Sequence, residues 1–199
     1  SAAITAAEDG ARVALIGYGT IGGTCVNVGC VPSKAMIRAV ETLHVAKRAS
    51  RFDGVEATAK ITDWAAMVAQ KQTLVDELRA AKYVDVLPNY EGVKYIEGQA
   101  RFLQDGSLQV ADRTILAPKV IIATGSSPHV PDIPGLDGVD WLDSTSALEQ
   151  AHLPKSLMVM GGGYIGVEIA QIFSRAGVEV TIVTRRGLLP EAEPEVSET

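Results

Sequence analysis

Both cysteines of the chain, Cys25 and Cys30, lie in one glycine-containing run that ends at Lys34. Five residues of regular α-helix rise roughly 7.5 Å, whereas a disulfide cannot close across a Cα separation above about 7 Å. If the two cysteines pair, the backbone between them must leave the ideal helix, and Gly29 gives it the freedom to do so. A bridge that closes so short a loop constrains the unfolded chain little. The pattern therefore favours a bond that opens and closes over a structural staple.

The alternative is two buried, apolar cysteines that never meet. The surroundings argue against it. Unpaired backbone N–H groups at a helix start stabilise a thiolate, and a nearby ammonium such as that of Lys34 adds to the effect. Together with the glycines Gly22 and Gly23, this local chemistry favours a reactive dithiol.

The run from Thr20 to Lys34, TIGGTCVNVGCVPSK, resembles the redox motif of the flavin-dependent pyridine nucleotide–disulfide oxidoreductases. Within that family it is most similar to the branch that reduces mercuric ion. Glutathione reductases usually have a second lysine where Ser33 stands. Dihydrolipoamide dehydrogenases more often have leucine and isoleucine at the positions of Val26 and Val31. These two branches are the alternatives within the family.

The composition of the 199 residues, 47% hydrophobic and 21% charged, is typical of an α/β protein with a sizeable core. A net charge of −6 argues against nucleic acid or an anionic membrane surface as a partner. No apolar run reaches the ~20 residues that a membrane span needs, and no signal peptide is visible. We therefore expect a cytoplasmic protein. The histidines His44, His129 and His152 show no metal-ligand spacing.

The first part of the chain reads as one half of a dinucleotide-binding unit. The pattern predicts a helix over residues 2–8 and a short buried strand over 12–16. A dinucleotide fold places a Gly-x-Gly-x-x-Gly turn ahead of such a helix, so we expect the first strand and phosphate loop before residue 1. An acid should follow the strand to hold the adenosine ribose, but Gly17 stands there.

Helices and then short strands follow. We predict a helix opened by Pro32 and carried by residues 35–49, and a second helix capped by Thr62 or Asp63. The predicted strands are short antiparallel ones over 93–97, 98–102, 107–110 and 113–116, and a buried one over 119–123. The last strand leads into Thr124-Gly125, which with the prolines after it resembles the family's second flavin-domain motif.

The last part of the chain reads as a second nucleotide site. A strand over 157–160, the turn Gly161–Gly166, a helix over 167–176 and a strand over 179–183 form a complete dinucleotide-binding pattern. The glycines allow a pyrophosphate to approach the helix N-terminus. Arg185 and Arg186 follow the second strand where an acid would select NAD, so the pattern favours the 2′-phosphate of NADPH. The alternative is two ordinary surface arginines.

We thus predict an α/β fold with Rossmann-like three-layer FAD- and NAD(P)-binding domains, truncated at both ends. Residues 1–148 would form an FAD-binding domain that lacks its first strand and glycine-rich loop. Residues 149–199 would begin an incomplete NAD(P)-binding domain.

The resemblance implies a role for each site residue. Cys30 would lie against the flavin and Cys25 would be the exchanging thiol. Lys34 would sit near the flavin ring and pair with Glu168, and Tyr164 would shield the nicotinamide pocket. The expected FAD contacts are Gly19, Gly22, Gly23, Thr24, Lys34, Ala100, Thr124 and Gly125, and the expected NADPH contacts are Gly161, Gly163, Gly166, Arg185 and Arg186.

The residue chemistry suggests a two-electron relay from a nicotinamide through a flavin to a dithiol. Two thiolates also suit a soft metal, so the resemblance implies NADPH-driven reduction of Hg(II), held by Cys25 and Cys30, to Hg(0) in a full-length homodimer. A small disulfide is the alternative substrate. A non-catalytic metal- or nucleotide-binding piece is the alternative of a different class, and we expect the 199 residues alone to hold FAD weakly and turn over little.

Overall fold

Helices and strands are mixed along the chain, as the predicted α/β class requires. The computed structural model describes residues 2–197. These residues group into two units, one made of 2–27 and 76–127 and the other of 28–75 and 128–197. The predicted boundary between cofactor domains at residue 148 remains a prediction. Within residues 2–197, no helix combines the length and apolar character needed to cross a membrane.

The first unit is built on two parallel strands. Helix α1 (Ala2–Glu8) ends just before Gly10, whose φ of +86° suits glycine, and leads into β1 (Val13–Gly17). Strand β2 (Val93–Glu97) pairs with β1 in parallel. The prediction of an antiparallel strand over 93–97 is therefore wrong in direction. The long segment between the two strands serves as the crossover that parallel pairing needs.

The remaining strands of the first unit form an antiparallel sheet of β3 (Ala100–Phe102), β4 (Leu108–Val110) and β5 (Arg113–Ile115). This confirms the antiparallel pairing predicted for the segments after residue 98. The first hairpin turns at Asp105, whose carboxylate accepts hydrogen bonds from the Oγ (2.6 Å) and backbone N (3.0 Å) of Ser107. These hydrogen bonds lower the pKa of Asp105 below its usual range.

The predicted strand over residues 119–123 is not present. The segment forms no regular element, and Ile121 and Ile122 are 72% and 71% exposed. A strand depends on hydrogen bonds to a neighbouring strand, and among residues 2–197 no strand pairs with this segment. The apolar run correctly indicates high β-propensity, but propensity alone does not make a strand.

The second unit combines several helices with a second parallel strand pair. Its main elements are α3 (Cys30–Lys47), α5 (Ser144–Leu148), β6 (Ser156–Met160), α6 (Tyr164–Arg175) and β7 (Glu179–Val183). Strands β6 and β7 are parallel, which confirms the predicted strand–turn–helix–strand pattern. Two helices start earlier than predicted, α3 at Cys30 and α6 at Tyr164, and both follow a glycine.

The other α-helices among residues 2–197 are α2 (Thr24–Asn27), α4 (Trp64–Arg79) and α7 (Pro194–Ser197). The carboxylate of Asp63 accepts a hydrogen bond from the backbone N of Ala66 at 2.9 Å, so Asp63 caps α4 as predicted. A π-helical turn over Ala80–Val84 follows α4 directly.

The core of the second unit lies where α3 and α6 pack together. Met36 and Val40 on α3 and Ile172 and Phe173 on α6 are at most 1% exposed. The ring of Trp64 lies 5.8 Å from that of Phe173, centroid to centroid. The packing of these buried side chains fixes α3 against α6, and with them the polar residues near their N-terminal ends.

Candidate functional site

The helix is broken between the two cysteines. Cys25 lies in α2, at the end of the first unit's opening segment, and Cys30 is the first residue of α3 in the second unit. Between them, Gly29 has φ −111° and ψ −112°, a conformation outside the helical region. Both cysteine side chains are exposed. The backbone thus departs from ideal helix as pairing of the cysteines would require, and the pairing itself stays a prediction.

In the first unit, the side chain of Asn27 braces the segment that carries Cys25. Its Nδ2 donates to the backbone O of Ile21 at 3.1 Å, and its Oδ1 accepts from Nε of Arg79 at 2.6 Å. Arg79 is held in turn by the carboxylate of Asp76 at 2.8 Å. Sequence reasoning missed Arg79, because it lies 52 positions from Asn27 and no local pattern connects them.

Gly22 and Gly23 lie against the ring of Tyr83, which belongs to the π-helical turn. Gly22 has φ +108°, and a Cβ built on it would overlap the ring. A Cβ on Gly23 would lie 3.6 Å from the Tyr83 hydroxyl, which is ordinary contact. Gly22 is therefore required by packing and by backbone conformation, in addition to any contact with a cofactor. Thr24 follows as the first residue of α2.

In the second unit, Lys34 and Glu168 form an ion pair. Nζ of Lys34 lies 2.6 Å from Oε1 of Glu168, as the resemblance implied. Ser33 is buried, and its Oγ donates to the other carboxylate oxygen, Oε2, at 3.2 Å. Nζ of Lys34 also lies 3.4 Å from Oγ of Ser33. Both oxygens of Glu168 thus have a donor from α3, and sequence reasoning gave Ser33 no such role.

The glycine turn before α6 contains two kinds of glycine. At Gly166 a Cβ would overlap the backbone O of Gly161, so Gly166 serves close packing of the helix on the turn. Gly161, with φ +120°, and Gly163, which caps α6, have open space where a Cβ would stand. Tyr164 follows at the start of α6 and is 59% exposed. The open backbone at these two positions leaves room for a phosphate group beside the first turn of α6.

The segment after β7 folds back over this turn. The backbone N of Leu189 donates to the O of Gly162 at 2.6 Å. Arg185 and Arg186 are both exposed in this segment, and Nη2 of Arg186 lies 2.8 Å from Oε1 of Glu191. The predicted arginines therefore lie on a segment that contacts the glycine turn, and Arg186 already forms an ion pair with Glu191.

The other predicted FAD contacts lie in the first unit. Ala100 is the first residue of β3, and Thr124 and Gly125 are exposed outside any regular element. Gly19 has φ +72° and lines an open cleft of about 520 Å³ beside β2. The cofactor roles of these residues remain predictions.

The fold and the segment from Thr20 to Lys34 together indicate one class of protein. The family model for pyridine nucleotide-disulphide oxidoreductases matches residues 1–199, and the chain belongs to this family.

Within the family, the chain is similar to mercuric reductases. It is 47% identical over 202 residues to the enzyme of Streptomyces lividans, which covers 99% of this chain and 42% of that protein. It is 47% identical over 199 residues to the enzyme of Bacillus cereus, covering all of this chain and 31% of that protein. The chain thus spans less than half the length of these relatives.

A solved structure has a similar fold. The HOCl-induced flavoprotein disulfide reductase RclA from Escherichia coli superposes with a TM-score of 0.81 at 33% identity, and the match covers 98% of this chain and 42% of that one. The same protein has also been solved as a Cu(II) complex.

Proposed function

We propose that this chain is the dithiol-bearing part of a flavoenzyme that uses NADPH to reduce Hg(II) to Hg(0). The observation that carries the proposal is the Lys34–Glu168 ion pair at 2.6 Å, one helical turn after Cys30 in the family's redox motif. The similarity to mercuric reductases over the whole chain supports the choice of metal. The same proposal makes the whole enzyme a cytoplasmic homodimer.

The residues present fit both cofactors. At Gly161 and Gly163, the space that a Cβ would fill is open, as a dinucleotide pyrophosphate requires. Arg185 supplies an exposed guanidinium for a 2′-phosphate. In the first unit, the cleft beside Gly19 offers apolar walls for the flavin dinucleotide. We assign the second unit's turn to NADPH and the first unit's cleft to FAD.

In this proposal the thiolates of Cys25 and Cys30 hold Hg(II) while it is reduced. Bound FAD supplies the two-electron chemistry that connects a nicotinamide to a disulfide. Cys25 and Cys30 alternate between a disulfide and two thiols, a change that takes up two electrons and two protons. Cys30 is the first residue of α3, and Lys34 follows it one helical turn later. Glu168 and Ser33 hold the Lys34 ammonium on the same end of α3.

Mercuric ion suits this dithiol as a substrate. Thiolates are soft ligands that prefer such a metal to Mg(II) or Ca(II). One Hg(II) takes up two electrons to become Hg(0), while one NADPH gives up two electrons and becomes NADP⁺ with release of a proton. The reaction is therefore balanced with one nucleotide oxidised per metal atom reduced.

The test is NADPH oxidation by the protein that carries this segment, measured with and without Hg(II). We expect oxidation to require Hg(II) and to be lost in Cys30→Ala. The control is Glu149→Gln, a substitution of the exposed acid at the C-cap of α5 that leaves residues 20–34 unchanged. Activity that survives Cys30→Ala unchanged would refute the assigned role.

Two other results would favour the alternatives. Faster turnover with lipoamide or oxidised glutathione than with Hg(II) would assign the protein to those branches of the family. Purified protein without flavin absorbance would support a non-catalytic binding piece.

A further inference from the structure

The position at which a dinucleotide fold carries its ribose-binding acid is a glycine in this chain. An acidic side chain at the end of the second strand of such a fold binds the ribose hydroxyls. Gly17 stands at that end of β1 and has no side chain. The parallel register places Glu97 directly opposite Gly17, at the carboxyl end of the neighbouring strand β2. A carboxylate is thus present at the same sheet edge, one strand away.

A side chain at position 17 would lie on the same face of the sheet as Glu97. Successive residues of a strand point to opposite faces, so Tyr95 and Glu97 share one face. The Tyr95 hydroxyl donates to the backbone O of Gly17 at 3.3 Å. A Cβ built on Gly17 would lie 3.4 Å from that same hydroxyl. A side chain at position 17 would therefore lie beside Tyr95, on the side of the sheet where Glu97 stands.

This face lines a cleft whose chemistry suits a nucleoside. The cleft has a volume of about 520 Å³, within the usual range for small-molecule sites, ~300–1,000 Å³. Of the described residues that line it, Glu97 is the single carboxylate, and most of the others are apolar. The lining residues are Gly19, Ile21, Val84, Leu87, Pro88, Val93, Tyr95 and Glu97. Apolar walls suit a purine ring, and a carboxylate at the rim suits the ribose diol.

We infer that Glu97 binds the adenosine ribose hydroxyls of the dinucleotide held by the first unit, in the role that Gly17 cannot fill. The inference rests on the proposed function, because that function places FAD in this cleft. The Glu97 side chain is exposed, and among residues 2–197 no ion pair engages it. Its carboxylate is therefore available to accept hydrogen bonds from both hydroxyls.

The experiment compares the affinity of FAD with that of FMN, which lacks the adenosine half. Isothermal titration would use the flavin-free form of the whole protein that carries this segment, with saturating NADP⁺ present, so that the second glycine turn is occupied. We expect Glu97→Gln to weaken FAD binding roughly tenfold or more, because hydrogen bonds to a charged group typically contribute that much to binding. FMN binding should be unchanged. Glu91→Gln is the matched control, since Glu91 is an exposed acid in the turn before β2.

A rescue variant separates binding from folding. Gly17 lies in a strand without a left-handed φ, so Gly17→Glu is tolerated by the backbone. We expect Gly17→Glu to restore FAD affinity in the Glu97→Gln background. The inference is overturned if Glu97→Gln changes FAD affinity less than twofold, if it weakens FMN equally, or if the wild-type chain binds FAD no more tightly than FMN. Absence of both FAD and FMN binding would overturn it together with the flavin part of the proposed function.

Discussion

The ammonium of Lys34 and the carboxylate of Glu168 lie 2.6 Å apart although the two residues are 134 positions apart in the chain. Their side chains are 56% and 33% exposed, and a pair so exposed to solvent stabilises a protein by no more than about 1 kcal/mol. The ion pair therefore contributes little to the stability of the folded protein. We expect its role to be one of positioning, because it holds the Lys34 ammonium near the N-terminal end of α3, where Cys30 lies.

Replacing Glu168 by glutamine tests that positional role. The change removes the charge that holds Lys34 but keeps the size of the side chain. We expect turnover with NADPH and Hg(II) to fall roughly tenfold, whereas the free energy of unfolding changes by less than about 1 kcal/mol. Steady-state kinetics and urea denaturation would measure the two effects.

The matched control is Ser33→Ala, which removes the hydrogen bond to Oε2 of Glu168 but keeps both charges. It should reduce stability by about 1 kcal/mol and reduce turnover less than Glu168→Gln does. Equal turnover for Glu168→Gln and wild type would mean that the ion pair has no positional role.

The brace between Arg79 and Asn27 should control the mobility of the segment before Cys30. Arg79→Lys keeps a positive charge near Asp76 but cannot reproduce the geometry of the guanidinium at Asn27. We expect backbone amides of residues 21–27 to exchange with deuterium roughly tenfold faster, consistent with the loss of about one hydrogen bond. Asp76→Asn, which leaves the Asn27 contact in place, is the control. Unchanged exchange in Arg79→Lys would show that the brace does not hold this segment.

Gly22→Ala should destabilise the first unit for two separate reasons. An L-residue with a positive φ is strained by roughly 1–2 kcal/mol, and the new Cβ would overlap the Tyr83 ring. Gly54→Ala isolates the strain, because Gly54 has φ +77° and nothing within 4 Å of a built Cβ. We expect thermal denaturation to show a larger loss for Gly22→Ala than for Gly54→Ala. In a Tyr83→Ala background this excess should shrink, and an undiminished excess would contradict the predicted overlap.

The two arginines after β7 should contribute unequally to nucleotide choice. Arg186 already pairs with Glu191 at 2.8 Å, so Arg185 is the more available partner for a 2′-phosphate. We expect Arg185→Ala to weaken NADPH binding roughly tenfold and Arg186→Ala to weaken it less. NADH, which lacks the 2′-phosphate, is the control ligand and should bind both variants like wild type. The affinities would be measured by titration with each nucleotide. An equal loss of NADPH affinity in Arg185→Ala and Arg186→Ala would mean that the pairing of Arg186 with Glu191 has no effect.

Stability at acid pH should depend on Asp143, the N-cap of α5. The backbone N of Ser146 donates to its Oδ1 at 2.7 Å and holds the pKa of Asp143 below its ordinary value of 3.8. A lowered folded-state pKa gives stability that is present above pH 3.8 and is lost as the pH falls through the folded value. The carboxylate is partly screened by solvent, so the loss is well under about 1 kcal/mol. Melting temperatures between pH 6 and pH 3 would measure it.

Asp143→Asn is the control for this pH effect. Asparagine keeps a capping oxygen but does not titrate in this range. The difference in melting temperature between wild type and Asp143→Asn should therefore change as the pH falls below about 4. A difference that stays constant across the range would assign the acid sensitivity to other groups.

The local features of the candidate site could be predicted from the sequence because each depends on near neighbours. The glycine between the cysteines interrupts the helix, and the alternation of β6, the glycine turn, α6 and β7 follows from hydrophobic periodicity and turn chemistry. The motif at Thr20–Lys34 led to the family, and with it to the pairing of Lys34 with Glu168.

Only the tertiary structure decided which distant segments meet. It made β2 parallel to β1, left residues 119–123 without a partner strand, and brought Arg79 to Asn27 and Glu97 opposite Gly17. These outcomes depend on the path of the chain and on packing between residues far apart in sequence, which local propensity does not encode. The sequence by itself determined the chemistry available to this protein, and the fold determined where that chemistry is placed.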